Sequence, residues 1–210
     1  MLSASAIQIV LQSYEITASD ARCSQIATYV ELLLKWNSRI SLTSIEDPEE
    51  IVRQHFAESI LGTKIAGPLE SRLADVGTGA GFPGLALKLY VPSLTVTLIE
   101  ANAKKCAFLG EVVRTLGLEG VEILRARFED VRRPNAPFDM VASRALGDIS
   151  AFLAWGVTVL DTRGRAMLWL GPEGVAEARS LTTDWSWRES YAIPGTKRRL
   201  ILVGSLRDRG

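Results

Sequence analysis

The residues best suited to chemistry lie in a glycine-rich segment, residues 75–84, which reads Asp-Val-Gly-Thr-Gly-Ala-Gly-Phe-Pro-Gly. Small side chains let a backbone approach a ligand closely, because no bulky group stands between them. The segment follows an apolar run that predicts a strand and precedes a helical pattern, so its N–H groups should lie near a helix N-terminus. Asp75, Gly77, Thr78, Gly79 and Phe82 are therefore candidate contacts for a bound cofactor.

Two classes of ligand use such a turn, and the sequence favours one of them. Dinucleotide-binding folds require a third small residue, but Phe82 stands there, and Pro83 removes an N–H group that a pyrophosphate could use. S-adenosylmethionine (SAM) has no pyrophosphate. Its amino-acid end suits backbone groups, and its sulfonium tolerates a nearby carboxylate such as Asp75. We therefore favour SAM, with a glycine-rich turn of purely structural function as the alternative.

The ends of two further predicted strands carry candidate cofactor contacts. The run 94–99 predicts a buried parallel strand and ends at Glu100, next to Ala101. A carboxylate about 20 residues after the glycines can accept hydrogen bonds from both ribose hydroxyls, in NAD and SAM sites alike. After the following strand, Phe128 could offer its ring to an adenine and Glu129 could address the exocyclic amine. A solvated strand-end charge and a half-buried loop are the respective alternatives.

Arg144 follows the run 138–143 and is the candidate catalytic residue, because a cation there can bind a phosphate or a base edge. A surface ion pair is the alternative. The position lacks the [DN]-P-P-aromatic motif common in enzymes that methylate base amino groups, and it lacks a cysteine nucleophile for cytosine C5. A guanine N7 acceptor fits, because its lone pair needs only alignment with the donor. For His55 we then expect a structural or RNA-contacting role.

Composition limits the class of protein and its surroundings. The chain has 210 residues, of which 47% are hydrophobic and 23% charged, as is typical of a globular protein. Cys23 and Cys106 form no C-x-x-C motif, so we expect a reduced, cytoplasmic protein without a metal. We see no membrane span and no signal peptide. Residues 71–210 carry 19 basic and 15 acidic side chains, which suits an anionic partner but falls short of a stand-alone nucleic-acid binder.

The elements that must position these residues fall into two parts, a helical extension over 1–66 and an α/β domain over 67–210. Ser19-Asp20 and Asp47-Pro48 predict helix starts, and Gly67-Pro68 marks the joint. Alternating patterns then predict a doubly wound parallel sheet. The predicted strands are 72–76, 94–99, 121–125, 138–143 and 165–170, and the predicted helices lie near 83–90, 102–116, 148–160 and 173–182. An antiparallel hairpin over 186–193 and 199–204 would complete seven strands.

Several motifs occur in order along nearly the whole chain. They are Leu34-Lys35-Trp36-Asn37 with Ser41-Leu42-Thr43; Asp47-Pro48-Glu49-Glu50 with His55 and Ser59; the glycine-rich segment; Lys104-Lys105 with Phe108-Leu109; Arg127-Phe128-Glu129; and Phe138-Asp139 with Ser143-Arg144-Ala145. With these motifs the chain resembles the bacterial glucose-inhibited division protein B family, the small-subunit ribosomal RNA guanine-N7 methyltransferases.

The resemblance implies a Rossmann-like class I SAM methyltransferase fold with an N-terminal helical extension. It implies methylation of a guanine N7 in small-subunit (16S) rRNA, with the RNA or the ribosomal particle as partner. It also implies that Gly77, Phe82, Phe128, Glu129 and Arg144 contact SAM or the acceptor pocket. We expect a monomer. A SAM-dependent methyltransferase of a non-RNA substrate and an inactive SAM- and RNA-binding protein remain open at this point.

The chain departs from the family pattern in two places. Leu170 replaces a lysine that the family usually has at the end of the fifth strand, which removes a cation expected near the active site. Arg198-Arg199 replaces a usual Arg-His, and Arg199 is a candidate to restore the lost charge. The candidate RNA contacts are Lys35, Arg39, His55, Lys104, Lys105, Arg198 and Arg199.

Overall fold

The computed structural model describes residues 2–67, 72–144, 147–181, 183–196 and 198–207. Pro68 of the predicted joint and Ala145 of the last motif lie outside these ranges. The strands are β1 (Arg72–Val76), β2 (Thr95–Ile99), β3 (Val121–Leu124), β4 (Phe138–Arg144), β5 (Leu160–Leu170), β6 (Trp185–Trp187), β7 (Tyr191–Ala192) and β8 (Leu200–Leu206). The helices are α1 (Ala4–Gln12), α2 (Asp20–Asn37), α3 (Pro48–Ile51), α4 (Glu58–Ala66), α5 (Gly84–Tyr90), α6 (Ala103–Thr115), α7 (Ile149–Val159) and α8 (Pro172–Ser180).

The strands form one sheet in the order β3-β2-β1-β4-β5-β8-β6, with β7 also paired to β8. Strands β1 to β5 are parallel, and β8 runs antiparallel to β5. The strand order reverses between β1 and β4, which in a doubly wound sheet is where ligands bind, beyond the carboxyl ends of the strands. The predicted fold class, a mostly parallel Rossmann-like sheet, is confirmed.

The predicted count of seven strands is wrong, because the expected strand over 186–193 divides in two. Trp187 pairs with Gly204 and Tyr191 pairs with Ile201, both on β8. Between these two pairs the segment that contains β6 and β7 advances by four residues, whereas β8 advances by three. The extra residue leaves a β-bulge, which interrupts the pairing and separates β6 from β7.

The N-terminal helices begin at the residues that the sequence predicts. Ser19 Oγ accepts a hydrogen bond from the Arg22 N–H, and Asp47 Oδ1 accepts one from the Glu50 N–H at 2.8 Å. Each cap satisfies an N–H group that the first turn of a helix leaves without a partner. Helix α3 continues through a π-helical segment, Val52–Ala57, into α4 without a break.

Two apolar layers cover the two faces of the sheet. The buried residues of α1, α2, α4, α5 and α6 form one continuous cluster on one face. Those of α7 and α8 form a second cluster on the other face. The N-terminal helices are thus packed into the core of the sheet, where they can reach its ligand-binding edge. Among the described helices, none is long and apolar enough to cross a membrane.

Candidate active site

The glycine turn after β1 uses most of its N–H groups internally. Gly77 and Thr78 donate to Ile99 O, while Gly81 and Phe82 donate to Thr78 O. Gly79 donates to Glu100 Oε2 at 3.0 Å. Each of these five N–H groups therefore already has an acceptor within the protein, and the contacts predicted between the turn and SAM stay predictions. A pyrophosphate needs such donors, so the turn is poorly suited to a dinucleotide.

The same turn leaves room for a ligand that requires close approach to the backbone. Gly77 and Gly79 have φ angles of +64° and +57°, a conformation that side chains with a Cβ rarely adopt. At Gly77 a Cβ would meet no atom within 4 Å, and at Gly79 it would meet only Gly77 O, at 3.8 Å. An added side chain would occupy this open space. These two glycines therefore fit the amino-acid end of SAM, which has no pyrophosphate to cradle.

Asp75 stabilises the conformation of the glycine turn through two hydrogen bonds. Its Oδ2 accepts hydrogen bonds from Thr78 Oγ1 at 2.5 Å and from Gly84 N at 2.7 Å. A Cβ on Gly84 would lie 2.7 Å from this oxygen, so only glycine allows the contact. Burial raises the pKa of Asp75 to about 7, against the opposing effect of these two hydrogen bonds. Its Oδ1 is buried without a hydrogen bond. A carboxyl group with a free oxygen suits a nearby sulfonium cation.

Glu100 links the turn to the end of β2. Its Oε2 accepts from Gly79 and its Oε1 accepts from the Asn102 N–H at 2.8 Å. Each carboxylate oxygen can accept a second hydrogen bond, so the capacity to bind two ribose hydroxyls remains. Ala101, the next predicted contact, is exposed beside it. As contacts to SAM, both residues stay predictions.

Phe82 connects the turn to the N-terminal helices. Its ring stacks with the rings of His55 and of Tyr29, at centroid distances of 4.8 and 5.5 Å. The Tyr29 hydroxyl donates to Ala80 O at 2.6 Å. The side chain of Phe82 therefore holds the turn against α2 and the π-helical segment. Its predicted contact with SAM remains untested.

Arg144 lies next to the turn because β4 and β1 are paired. Val76 is in register with Ser143, whose hydroxyl donates to Val76 O at 2.9 Å. Gly77 directly follows Val76 and Arg144 directly follows Ser143, so these two residues lie at the ends of adjacent strands. The guanidinium group donates from Nη1 to Gln54 O at 2.8 Å, and its Nη2 lies 2.9 Å from His55 Nδ1. It is held by the π-helical segment.

His55 is neutral, and its hydrogen bonds define its tautomer. Burial and, after it, the charges of Arg144 and Arg199 lower its pKa to about 3. A guanidinium group can only donate, so Nδ1 accepts from Arg144 and the proton is on Nε2. Nε2 lies 2.8 Å from Thr43 Oγ1 and donates to it. Thr43 is fixed in turn by Asn37, whose Oδ1 accepts from the Thr43 N–H at 3.0 Å.

A cavity of about 250 Å³ lies beyond the ends of β4 and β5. Arg144, Leu170, Arg199 and Glu58 are among its lining residues. Arg199 therefore lies in the same pocket as Leu170, the position where the sequence lacks its expected cation. This placement supports the prediction that Arg199 restores the charge.

The other predicted residues are distributed around the same edge of the sheet. Phe128 begins a 3₁₀ turn, Phe128–Asp130, after β3 and packs edge-on against Trp155, while Glu129 is exposed. Lys104 and Lys105 open α6, and Arg198 precedes β8, all near the carboxyl ends of the parallel strands. Lys35 and Arg39 are exposed near the C-terminal end of α2. As RNA contacts, these residues and His55 stay predictions.

Gln54, Glu58 and Tyr29 are site residues that sequence reasoning missed. Gln54 and Glu58 share a helical face with buried apolar residues, and a polar or charged residue on such a face is a signal of a polar site. Tyr29 lies on the apolar stripe of α2, where its hydroxyl needs a partner. The long-range partners of these side chains, Arg144, Arg199 and Ala80, could not be identified from spacing.

Comparison with known proteins gives consistent matches in sequence and in fold. The family model described as rRNA small subunit methyltransferase G (GidB) matches residues 22–201. The "Ribosomal RNA small subunit methyltransferase G" of Moorella thermoacetica is 36% identical over 201 residues, covering 90% of this chain and 84% of that protein. The protein of the same name from Roseiflexus castenholzii is 38% identical over 207 residues, covering 92% and 87%.

The solved structures that resemble this chain share its fold. A SAM dependent methyltransferase from Aquifex aeolicus has a TM-score of 0.58 at 19% identity, covering 77% of this chain and 99% of that one. TrmN from Thermus thermophilus has a TM-score of 0.59 at 17% identity, covering 72% of this chain and 48% of that one. At such identities the likeness supports the fold alone.

Proposed function

The chain belongs to the rRNA small subunit methyltransferase G family, and on that premise we propose that it methylates N7 of a guanine. It is a SAM-dependent methyltransferase whose substrate is 16S rRNA. The family membership supports 16S rRNA as the substrate, and N7 as the acceptor atom is our proposal. The family membership also makes the ribosomal subunit, in the cytoplasm, the expected place of action.

The observation that carries the proposal is the pairing of β1 with β4. Because Val76 and Ser143 are in register, the open glycine turn and Arg144 begin at neighbouring strand ends. The glycine turn suits the methyl donor, and Arg144 suits an electron-rich base. Methyl transfer requires the donor carbon, its sulfur and the acceptor atom to be in line at near contact, and two adjacent sites provide that alignment.

The protonation state of His55, beside Arg144, is consistent with an acceptor that loses no proton. His55 is neutral with its proton on Nε2, and both ring nitrogens are engaged, by Arg144 and Thr43. It is therefore not available as a general base. Guanine N7 carries a lone pair that can attack without prior deprotonation, so alignment suffices.

We assign roles to the residues on the same basis. SAM supplies an electrophilic methyl group when it is bound. We propose that Gly77 and Gly79 admit its amino-acid end, that Asp75 faces its sulfonium and that Glu100 binds its ribose. Arg144 would orient the acceptor base, and the extension over 1–66 would hold Arg144 in place through His55 and Gln54.

Labelled SAM tests the proposal. The protein is incubated with it and with 16S rRNA, supplied either naked or as the small ribosomal subunit, and the labelled nucleoside is identified. N7-methylguanosine also makes the RNA chain cleavable by borohydride and aniline, which maps the position. We expect the label in one N7-methylguanosine. Label in a different nucleoside would contradict the proposed acceptor atom.

We further propose that the protein acts as a monomer. Among the described residues, the large hydrophobic side chains that are exposed are Ile9 and Tyr191. An obligate dimer needs a larger apolar interface than two such residues supply. Sedimentation of the free protein at micromolar concentration should give the mass of one chain, and a mass of two chains would contradict this proposal.

A further inference from the structure

The cavity beyond β4 and β5 contains a buried carboxylate with unused hydrogen-bonding capacity. The Glu58 side chain is only 1% exposed, and its Oε1 makes no hydrogen bond although it lies 3.0 Å from Arg199 Nη2. Buried carboxylates normally have their oxygens fully paired, because burial without partners is costly. Oε1 can therefore accept a donor from a ligand in the cavity.

Glu58 is held in position from two sides. Its backbone oxygen accepts a hydrogen bond from Trp169 Nε1 at 2.9 Å. Its carboxylate faces Arg199, whose Nη1 donates to Gln54 Oε1 at 2.7 Å. Burial raises the pKa of Glu58, while Arg199 and then Arg144 lower it. Arg199 thus both orients the carboxylate and favours its charged form.

The rest of the cavity suits a flat, partly apolar ligand. Trp169, Leu170 and Ile193 contribute apolar lining, and Arg144 and Arg199 contribute planar cations. Proteins recognise unstacked bases by contact with aromatic or guanidinium planes and by hydrogen bonds to the base edges. The mixture found here is the chemistry of a base pocket.

We propose that this cavity binds the acceptor guanine and that Glu58 accepts hydrogen bonds from its N1–H and N2 amine, with Arg199 as the positioning residue. The inference rests on the proposed function. Guanine has both donors on this edge, and its N7 lies on the five-membered ring, away from them. Binding through the donors leaves N7 free to face the methyl group. Adenine presents the acceptor N1 at the same edge, which a carboxylate repels.

Removing the N2 amine of the target guanine tests the inference. Single-turnover methylation is measured on small ribosomal subunits whose mapped target nucleotide is guanosine or inosine, which lacks only the N2 amine. The wild-type protein should methylate guanosine at least about tenfold faster than inosine, the size expected for a hydrogen bond to a charged group. Glu58→Gln should slow guanosine methylation by at least about tenfold and bring the ratio close to one. An unchanged ratio in Glu58→Gln would overturn the inference.

The controls separate this inference from the proposed function. Glu31→Gln makes the same change at an exposed position of α2 and should leave both rates unchanged. The affinity of Glu58→Gln for SAM should equal that of wild type. If wild-type protein methylates no guanine, the proposed function fails. If it does and Glu58→Gln keeps the wild-type ratio, only the role of Glu58 fails.

A second variant covers the case in which Glu58→Gln does not fold. Arg199→Gln removes the partner of Glu58 from a half-buried position. It should lower the rate of guanosine methylation and bring the ratio of the guanosine rate to the inosine rate closer to one. Arg199→Lys should restore part of the rate and part of the ratio. A wild-type ratio in Arg199→Gln would contradict its positioning role.

Discussion

The imidazole of His55 accepts a hydrogen bond at Nδ1 from Nη2 of Arg144, 2.9 Å away. One residue belongs to the N-terminal helical extension and the other to the end of β4. The extension thereby holds a cation that lines the cavity beyond β4 and β5. The contact depends on the π-helical segment, in which Gln54 O accepts a second hydrogen bond from the same guanidinium group. π-helical turns often occur at functional sites.

Removing His55 should slow methyl transfer without weakening SAM binding. His55→Leu deletes the acceptor of Arg144, so we expect the single-turnover rate to fall about tenfold, the size of one charge-assisted hydrogen bond. Rapid-quench kinetics and calorimetric titration of SAM measure the two quantities. Thr43→Val, which leaves His55 in place, should have a smaller effect. A larger loss of SAM affinity than of rate in His55→Leu would mean that His55 supports the cofactor instead.

Arg144→Ala should abolish methylation while the affinity for SAM changes much less. The guanidinium group lines the cavity beyond β4 and β5, and its effect on the proposed SAM site is a lowering of the pKa of Asp75 across the paired strands β4 and β1. Labelled methyl transfer and calorimetry test the two halves of this statement. Arg163→Ala is the matched control, because Arg163 is exposed and lies toward the opposite end of its strand. Unchanged methylation in Arg144→Ala would remove Arg144 from its role.

Gly77→Val should block SAM binding sterically. Gly77 has a φ of +64° and faces open space, which the valine side chain would fill. Gly117 has a φ of +60° and equally open surroundings, but it lies after α6. Gly117→Val therefore carries the same backbone strain without touching the turn. Thermal melts should show similar losses for both variants, while titration should show lost SAM binding only for Gly77→Val. Equal SAM affinities would count against the turn as the donor site.

Local signals in the sequence were enough to predict the elements of the sheet and the glycine turn. Helix caps, apolar runs and Gly spacing depend on neighbouring residues, and β1 (Arg72–Val76) has the predicted bounds. The division of β6 from β7 depends on the register against β8, which no local pattern encodes. The side chains that contact Glu58 and His55 also could not be predicted from the sequence. The contacts of these two residues with Arg199 and Arg144 span more than 80 residues and arise only when the extension packs on the sheet.

The affinity for SAM should increase with pH through the titration of Asp75. Burial raises its pKa from 3.8 to about 7, and the neighbouring charges are Arg144, which lowers the pKa, and Glu100, which raises it. The sulfonium of SAM favours the ionised carboxylate. Below pH 7 binding must therefore release a proton, and affinity should fall by up to about tenfold per pH unit.

Two comparisons isolate this effect. Calorimetry at pH 5.5 to 8.5 should show a strong dependence for SAM and a weaker one for S-adenosylhomocysteine, which shares every group except the charged sulfonium. Asp75→Asn should remove the difference between the two ligands. The same pH dependence for both ligands in the wild-type protein would show that Asp75 does not face the sulfonium.

The most direct test of the account is a crystal structure of the protein with S-adenosylhomocysteine. We predict that the ribose hydroxyls lie within hydrogen-bonding distance of Glu100 and that the amino-acid end lies over Gly77 and Gly79. The sulfur should face the cavity that contains Arg144 and Glu58. A product molecule bound away from the glycine turn, or with its sulfur turned from that cavity, would contradict the arrangement of donor and acceptor on which the proposed reaction depends.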